Sequence, residues 1–515
     1  MTSESGTFWD LVEGAVLAQP ERVVLSDDYG RALTTTDLRD AALRTAAALA
    51  DVGVKADTVV SWQLPTTLET MVVMCALTRL GAVQNPIIPL WRENEVRHAL
   101  GQIRTEVFVV PREWRGFDHL GLARQMSREF GVIPVALDLD GPPTDLNLRL
   151  PEGKSGQLQA ASSAAESVRW IYYSSGTTAS PKGIQHSDAS VIAGTAGVID
   201  MLGTASEDVN PIAFPVSHIG GAAMLAAALL TRMKLVLFDM FDPATTPFAM
   251  APHRPTLLGS ATPFFAAYLE AQSRHGGEPL YPNLRGCTGG GAPITVELGR
   301  LVREKLAVAG IANAWGLTEF PVATSPALDA QADVLDHTVG KPVPGVQVRV
   351  VGHDGRETTN CAVGELRLKG PQCFLGYVDS SLNADAFDMD GWFRTGDEGF
   401  IDADGNIRVT GRIKDAIIRN AENVSALEVE EALITHPGVA DVSVIGVPDA
   451  RTGERVCAVV VPVPGSNITV SELSRHCEAF GLSRYKCPER VELVDELPRN
   501  LIGKVLKADL RRRFQ

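Results

Sequence analysis

Cysteine pairs, an excess of basic charge and a long uninterrupted apolar run are all missing from this sequence, and each absence closes off a class of function. The seven cysteines (75, 287, 361, 373, 457, 477 and 487) never come in a Cys-x-x-Cys pair. Scattered through 515 residues, they make neither a disulfide framework nor a zinc signature, so reduced thiols in a cytoplasmic protein are expected. Lys and Arg number 47 against 62 Asp and Glu, a formal charge of −15. That balance disfavours a nucleic-acid binder or a protein drawn to an anionic membrane surface, because both depend on clustered cations. Any bound anion must be held locally, by backbone N–H groups, a few aimed cations or a metal. The start of the chain lacks the basic and apolar regions of a signal peptide. One stretch, Val209 to Thr231, has no charged side chain and enough length to suggest a membrane span. Pro211, Pro215, Ser217, His218, Gly220 and Gly221 fill its first half, so only Ala222 to Leu230 reads as a helix, and a buried one.

Apolar residues make up 45% of the chain and charged residues 21%, the balance of a folded protein, and the length implies several domains. The first half alternates helix and strand patterns: helices at 38–50 and 68–80, strands at 58–64, 107–110, 168–173, 235–238 and 256–258. Such alternation predicts a layered α/β architecture with parallel strands. Segment 141–166, rich in Gly, Pro, Ser and Ala, reads as a surface connection. From about 340 the pattern becomes period-two strands with Asp354-Gly355 and Asp404-Gly405 turns, which predicts an antiparallel β subdomain. A short α+β stretch follows, with helices at 426–435 and 470–480, strands at 442–447, 456–461 and 491–494, and a basic tail helix. The expected division is a large domain over 1–411, a linker at 412–415 and a small domain over 416–515.

The most informative string is Ile171-Tyr-Tyr-Ser-Ser-Gly-Thr-Thr-Ala-Ser-Pro-Lys-Gly183. An apolar strand runs into a small hydroxyl-rich turn that ends in Lys182, a composition suited to wrapping a polyphosphate. Its spacing from Gly176 to Lys182, with Pro181 before the lysine, is not that of a Walker A loop.

This string resembles the phosphate-binding loop of the adenylate-forming superfamily, which includes acyl-CoA synthetases, peptide-synthetase adenylation domains and luciferases. The resemblance extends over essentially the whole chain through further strings in the same order: Gly289-Gly-Gly-Ala-Pro293, Ala314-Trp-Gly-Leu-Thr-Glu319, Gly391-Trp-Phe-Arg-Thr-Gly-Asp397 with Gly411-Arg412, and Pro498-Arg-Asn-Leu-Ile-Gly-Lys504. It implies a large AMP-binding domain of layered α/β subdomains with a β-barrel-like subdomain, and a small mobile α+β lid domain. ATP, Mg²⁺ and coenzyme A are the implied cofactors.

Residue by residue, the resemblance places ATP or AMP on Ser174, Ser175, Gly176, Thr177, Thr178 and Lys182, and beside the turn Gly290, Gly291, Ala292 and Pro293. Ala314, Trp315 and Gly316 would flank adenine, with the Trp315 face available for stacking. Thr318 would donate to the α-phosphate, and Glu319 would hold Mg²⁺, a hard cation suited to carboxylate and phosphate oxygens. Asp397 would accept from both ribose hydroxyls, and Arg412 would contact the ribose. Lys504 would bring a cation to the point where a carboxylate meets an α-phosphate, stabilising the transition state more than the ground state. Lys414 matches the family hinge. His218, Gly220, Gly221, Gly289 and Ala314 would border the acyl pocket. His218 reads equally as a buried histidine bonded to backbone or as a gate that orients a thiol. Two departures stand out: Ala179 replaces a glycine of the phosphate loop, limiting positive φ there, and Asn420-Ala421 stands where many CoA-using relatives have Gly-Gly.

The expected activity is ATP-dependent carboxylic acid–CoA ligation. The alternative is a stand-alone enzyme that loads an acyl or aryl group onto a carrier protein. No acidic residue sits beside His218 to hold a substrate ammonium, which disfavours amino acids. A luciferase-like oxygenase shares the fold, and a silent nucleotide sensor would need a broken set of motif residues. The stretches Gly220–Ala223, Gly259–Ala261, Gly289–Ala292 and Ala312–Ala314 are small, which predicts a bulky hydrophobic acid unless larger side chains refill the space. The partners expected are a small-molecule acid and CoA or a carrier protein, with no nucleic acid, no membrane span, and room for a homodimer.

Overall fold

The computed structural model describes residues 6–174, 181–291, 294–352, 354–358, 361–419, 422–449, 451–500 and 503–515. The alternating segments build a seven-stranded sheet in the order Gly376–Tyr377, Lys182–Ser187, Val168–Ser174, Val83–Pro86, Val59–Trp62, Val107–Pro111, Ile133–Leu137. The last five are parallel. The first two are antiparallel additions at one edge. Parallel strands are covered on both faces, which is why Val107–Pro111 is buried at every position and reads as an unbroken apolar run. The helix Leu68–Leu80 starts where Thr67 Oγ1 accepts the Thr70 N–H and stops at Gly81, whose φ of +68° a left-handed cap requires. Every residue from Leu68 to Thr78 is buried, so this helix has no polar face and runs through the core.

A second, four-stranded sheet orders Val209–Ile212, Lys234–Leu237, Val23–Asp27 and Ala32–Thr34. A third, five-stranded, orders Leu257–Ser260, Gly286–Gly290, Ile311–Leu317, Phe320–Ser325 and Lys341–Pro342, parallel for its first three strands and antiparallel after. The β subdomain is a four-stranded antiparallel sheet of Gln347–Val351, Gly364–Lys369, Phe393–Ile401 and Ile407–Arg412. It is stitched to the third sheet by hydrogen bonds from Val339 N–H to Ile407 O and from Ile407 N–H to Gly340 O.

The last hundred residues form their own layer. A sheet of Glu422–Val424, Ile417–Arg419, Gly453–Pro462 and Val439–Asp449, with Arg490–Leu493 parallel beside Gly453–Pro462, carries helices Ala426–Leu433, Val470–Phe480 and Lys507–Phe514. Its apolar clusters draw only on residues from 417 onward. The two long strands pair from Val439–Pro462 to Asp449–Gly453, longer at both ends than their apolar stretches suggest, because a hairpin extends as long as backbone pairing continues. The helix expected at 222–230 is Ile219–Thr231, so Gly220 and Gly221 lie inside its first turn. A Cβ on Gly221 would come within 2.0 Å of Val216 O, so the glycine permits the turn to pack on the preceding chain. Each of the seven cysteines is free, and no helix among the described residues is long and apolar enough to cross a membrane.

Candidate active site

Among the described residues, Lys504, Lys414, Arg412 and Asp397 come together where the small domain meets the β subdomain. Strands Val168–Ser174 and Lys182–Ser187 pair antiparallel, with Ser174 opposite Lys182. Ser175, Gly176, Thr177, Thr178 and Ala179 lie outside the described residues, as do Ala292, Pro293, Asn420 and Ala421. The Lys182 ammonium stands 5.4 Å from the centre of the Tyr377 ring. Just before it, the Pro181 carbonyl accepts from His98 Nε2 at 2.9 Å and Gln102 Nε2 at 3.2 Å, two side chains one turn apart on helix Glu93–Ile103.

Thr318 and Glu319 occupy the turn between strands Ile311–Leu317 and Phe320–Ser325. His186 holds this turn from below. Its Nε2–H donates to Thr318 O at 2.7 Å while Nδ1 meets Ser190 Oγ at 3.0 Å. Burial pushes the imidazole down to about 4, so His186 is a neutral brace. Glu319 is held twice by one segment: Phe374 N–H donates to its carbonyl at 2.9 Å and Tyr377 Oη–H to its Oε1 at 2.9 Å.

Asp397 and Arg412 are register partners on neighbouring strands, and their side chains pair at 2.8 Å. The other carboxylate oxygen of Asp397 accepts the Trp315 indole N–H at 2.9 Å. Trp315 is only 9% exposed and packs in the β-subdomain core, so its clearest task here is to brace Asp397. Gly289 and Gly290 close the neighbouring strand beside Asn313 and Ala314, and Gly291 has φ +79°.

Lys504 arrives from the small domain. Asn500 forms a turn with it, accepting the Lys504 N–H at 2.9 Å on its side chain and donating to Lys504 O at 2.8 Å. Gly503, at φ +80°, packs so closely on Pro263 that a Cβ would lie 2.8 Å from Pro263 Cγ. Burial, aided by Arg412 and Lys414 and opposed by Asp397 and Asp415, lowers the Lys504 pKa to about 8. Two domains therefore bring Lys504, Arg412, Lys414 and Asp397 into one electrostatic neighbourhood. Lys414 sits in the turn Ile413–Asp415, its own pKa lowered by burial and by Arg412.

His218 caps helix Ile219–Thr231, its Nδ1 accepting the Gly220 N–H at 3.2 Å, and burial pushes it down to about 4. It lines a small cavity with Pro86, Ile88, Trp91, Tyr172, Tyr173 and Ser217. Several small positions are already faced: a Cβ on Gly220 would lie 3.4 Å from the Phe214 ring, on Gly289 2.9 Å from Asn313, and on Gly259 2.8 Å from Thr288.

Among the described residues no group of three His, Cys, Asp or Glu side chains forms a metal cage. A single buried carboxylate, Glu319, fits Mg²⁺ all the same, because that ion keeps several waters and takes one or two carboxylates together with substrate phosphates. Sequence reasoning missed His98, Gln102, His186 and Tyr377. Only His186 left a trace, as a polar residue in the apolar alternation after Lys182.

The sequence model described as AMP-binding enzyme matches residues 12–378, and that described as AMP-binding enzyme C-terminal domain matches 428–504. The medium-chain fatty-acid–CoA ligase of Escherichia coli K12 is 29% identical over 96% of this chain and 88% of its own. A 3-[(3aS,4S,7aS)-7a-methyl-1,5-dioxo-octahydro-1H-inden-4-yl]propanoyl:CoA ligase of Mycobacterium tuberculosis is 32% identical over 93% of this chain and 94% of its own. The salicyl-AMP ligase / salicyl-S-ArCP synthetase of the same organism is 29% identical, over 99% and 91% respectively. The ATP-bound crystal structure of MatB from Rhodopseudomonas palustris superposes with a TM-score of 0.87 at 26% identity, covering 98% of this chain and 99% of that one.

Proposed function

The chain belongs to the AMP-binding enzyme family, and we propose that it is an ATP-dependent carboxylic acid–CoA ligase acting through an acyl-adenylate. The acid's carboxylate attacks the α-phosphorus, the bond to pyrophosphate breaks, and acyl-AMP forms. The CoA thiol then attacks the acyl carbon and AMP leaves, a better leaving group than the oxide of a free carboxylate. The observation that carries this reading is the convergence of Lys504 with Asp397 and Arg412 across the domain boundary. The Asp397–Arg412 pair would hold the ribose, Lys182 and the loop before it the phosphates, and Thr318 the α-phosphate. Lys504 would meet the negative charge that builds as two anions join. Glu319 would hold Mg²⁺, which when bound adds positive charge at the triphosphate.

For the acid we infer a hydrophobic compound larger than acetate, alicyclic, polycyclic or a medium-chain fatty acid. The acids named for two relatives support it; small residues stand at Gly220, Gly259, Gly289 and Ala314, although Phe214, Thr288 and Asn313 already face the first three. Apolar burial at about 25 cal/mol per Å² makes a ring bind far better than a methyl group. Pyrophosphate release should therefore show higher kcat/KM for octanoate, cyclohexanecarboxylate or a polycyclic acid than for acetate or any α-amino acid. A preference for acetate would overturn this assignment. The salicyl-AMP ligase supports the second reading, a carrier-protein acceptor. Thioester formation with CoA alone decides against it.

A further inference from the structure

We propose that Tyr377 is a positioning residue of the adenylation site, aiming the Glu319 carboxylate at the metal with its hydroxyl and steadying the Lys182 ammonium with its ring. The inference rests on the proposed assignment of Glu319 and Lys182 to the metal and the phosphates.

Tyr377 is well placed to act as a fixed point. It pairs with Ile184 on the strand that Lys182 begins, its carbonyl accepts the Gln185 amide at 2.9 Å, and its N–H donates to Asn383 Oδ1 at 2.8 Å. Phe374 packs edge-on against its ring at 4.9 Å. Tyr377 and Glu319 are both 8% exposed. From this anchored position the hydroxyl donates to Glu319 Oε1 at 2.9 Å. A hydrogen bond from a neutral hydroxyl to a buried carboxylate is strong. Unlike an Arg or Lys partner, it leaves the negative charge in place to attract a cation.

With Oε1 committed to Tyr377, the carboxylate is restrained from swinging, and Oε2 would be the oxygen left for a metal. The same ring lies 5.4 Å from Lys182 Nζ, within cation–π range. One side chain therefore touches both groups proposed to grip the triphosphate, and it sets their spacing without bringing them together as an ion pair.

The test separates hydroxyl from ring by calorimetric titration of ATP into the full chain, once in EDTA and once across a series of Mg²⁺ concentrations. Tyr377→Phe should raise the Mg²⁺ concentration for half-maximal enhancement of ATP binding by about tenfold or more, the usual effect of losing a partner behind a metal ligand. It should leave titration in EDTA unchanged. Tyr377→Leu should show the same metal shift and also weaker binding in EDTA, because Lys182 loses its ring. Adding Tyr377→Phe to Glu319→Gln should cause no further shift. A wild-type Mg²⁺ midpoint in Tyr377→Phe, or equal weakening with and without metal, would overturn the proposal. A wild-type midpoint in Glu319→Gln would instead overturn the assignment of Glu319 itself.

Discussion

Lys504 shows how a single residue depends on two domains. An ammonium buried among Arg412 and Lys414 is harder to charge than one in water, and its pKa falls from an ordinary 10.5 to about 8. The charged form is the one that can stabilise a pentavalent phosphoryl group, so the cation proposed to act in catalysis is lost as pH rises through about 8, well below the usual lysine range. The kcat/KM profile for adenylation, which reports groups of the free enzyme, should fall on its alkaline side near that pH. Lys504→Arg keeps a charge at every accessible pH and should remove this alkaline limb while retaining part of the rate. Lys504→Ala should lower adenylation by roughly 10²–10³, as for other preorganised donors, and should largely spare thioester formation from supplied acyl-AMP. An alkaline limb unchanged in Lys504→Arg would show that another group titrates there.

The helix Ile219–Thr231 separates what was legible in the sequence from what was not. Its existence followed from an uncharged Ala- and Leu-rich run, but its start did not, because Gly220 and Gly221 read as breakers. The close approach of Gly221 to the Val216 carbonyl, which makes glycine necessary, is visible only once the chain is folded. The ordered strings around Lys182, Glu319, Asp397 and Lys504 could be found because each is a local run of a composition that one proposed chemical task would require. Their supports could not. His98 reaches Pro181 across 83 positions, His186 reaches Thr318 across 132, and Tyr377 reaches Glu319 across 58. No periodicity records such contacts. The helix also offers a way to divide the two readings of His218. Its Nδ1 caps the first turn, and losing a cap costs about 1 kcal/mol. His218→Ala should melt at lower temperature, whereas His218→Ser, which restores a capping oxygen, should not. If His218 also orients the thiol, both variants should slow thioester formation from acyl-AMP equally. Recovery of that step in His218→Ser would leave capping as its role.

At the scale of the molecule, the small domain holds itself together with ion pairs of its own and meets the large one around Ser425, Gly503 and Lys504. Lys507 pairs with Glu430 at 2.8 Å, Lys486 with Glu428 at 2.7 Å and Arg499 with Asp441 at 2.6 Å, all within the small domain. Arg511 ties the last helix to Asp415, the final residue of the proposed hinge, at 2.8 Å. Across the boundary run the Ser425 Oγ bond to Thr410 O at 2.6 Å, the packing of Gly503 on Pro263 and the charge field around Lys504. That pattern suits a lid that moves as a unit about Lys414. The strand Ile407–Arg412 carries the Arg412 that pairs with Asp397, so a fragment that keeps the site's ribose end must run past 411. We therefore expect residues 1–413 to fold alone, with a cooperative melt. The fragment should bind ATP weakly and adenylate roughly 10²–10³ more slowly than the full chain, matching the Lys504→Ala loss because both lack the same cation. Adenylation at the full-length rate would show that the lid does not supply it, and a fragment without a cooperative transition would show that the boundary lies elsewhere.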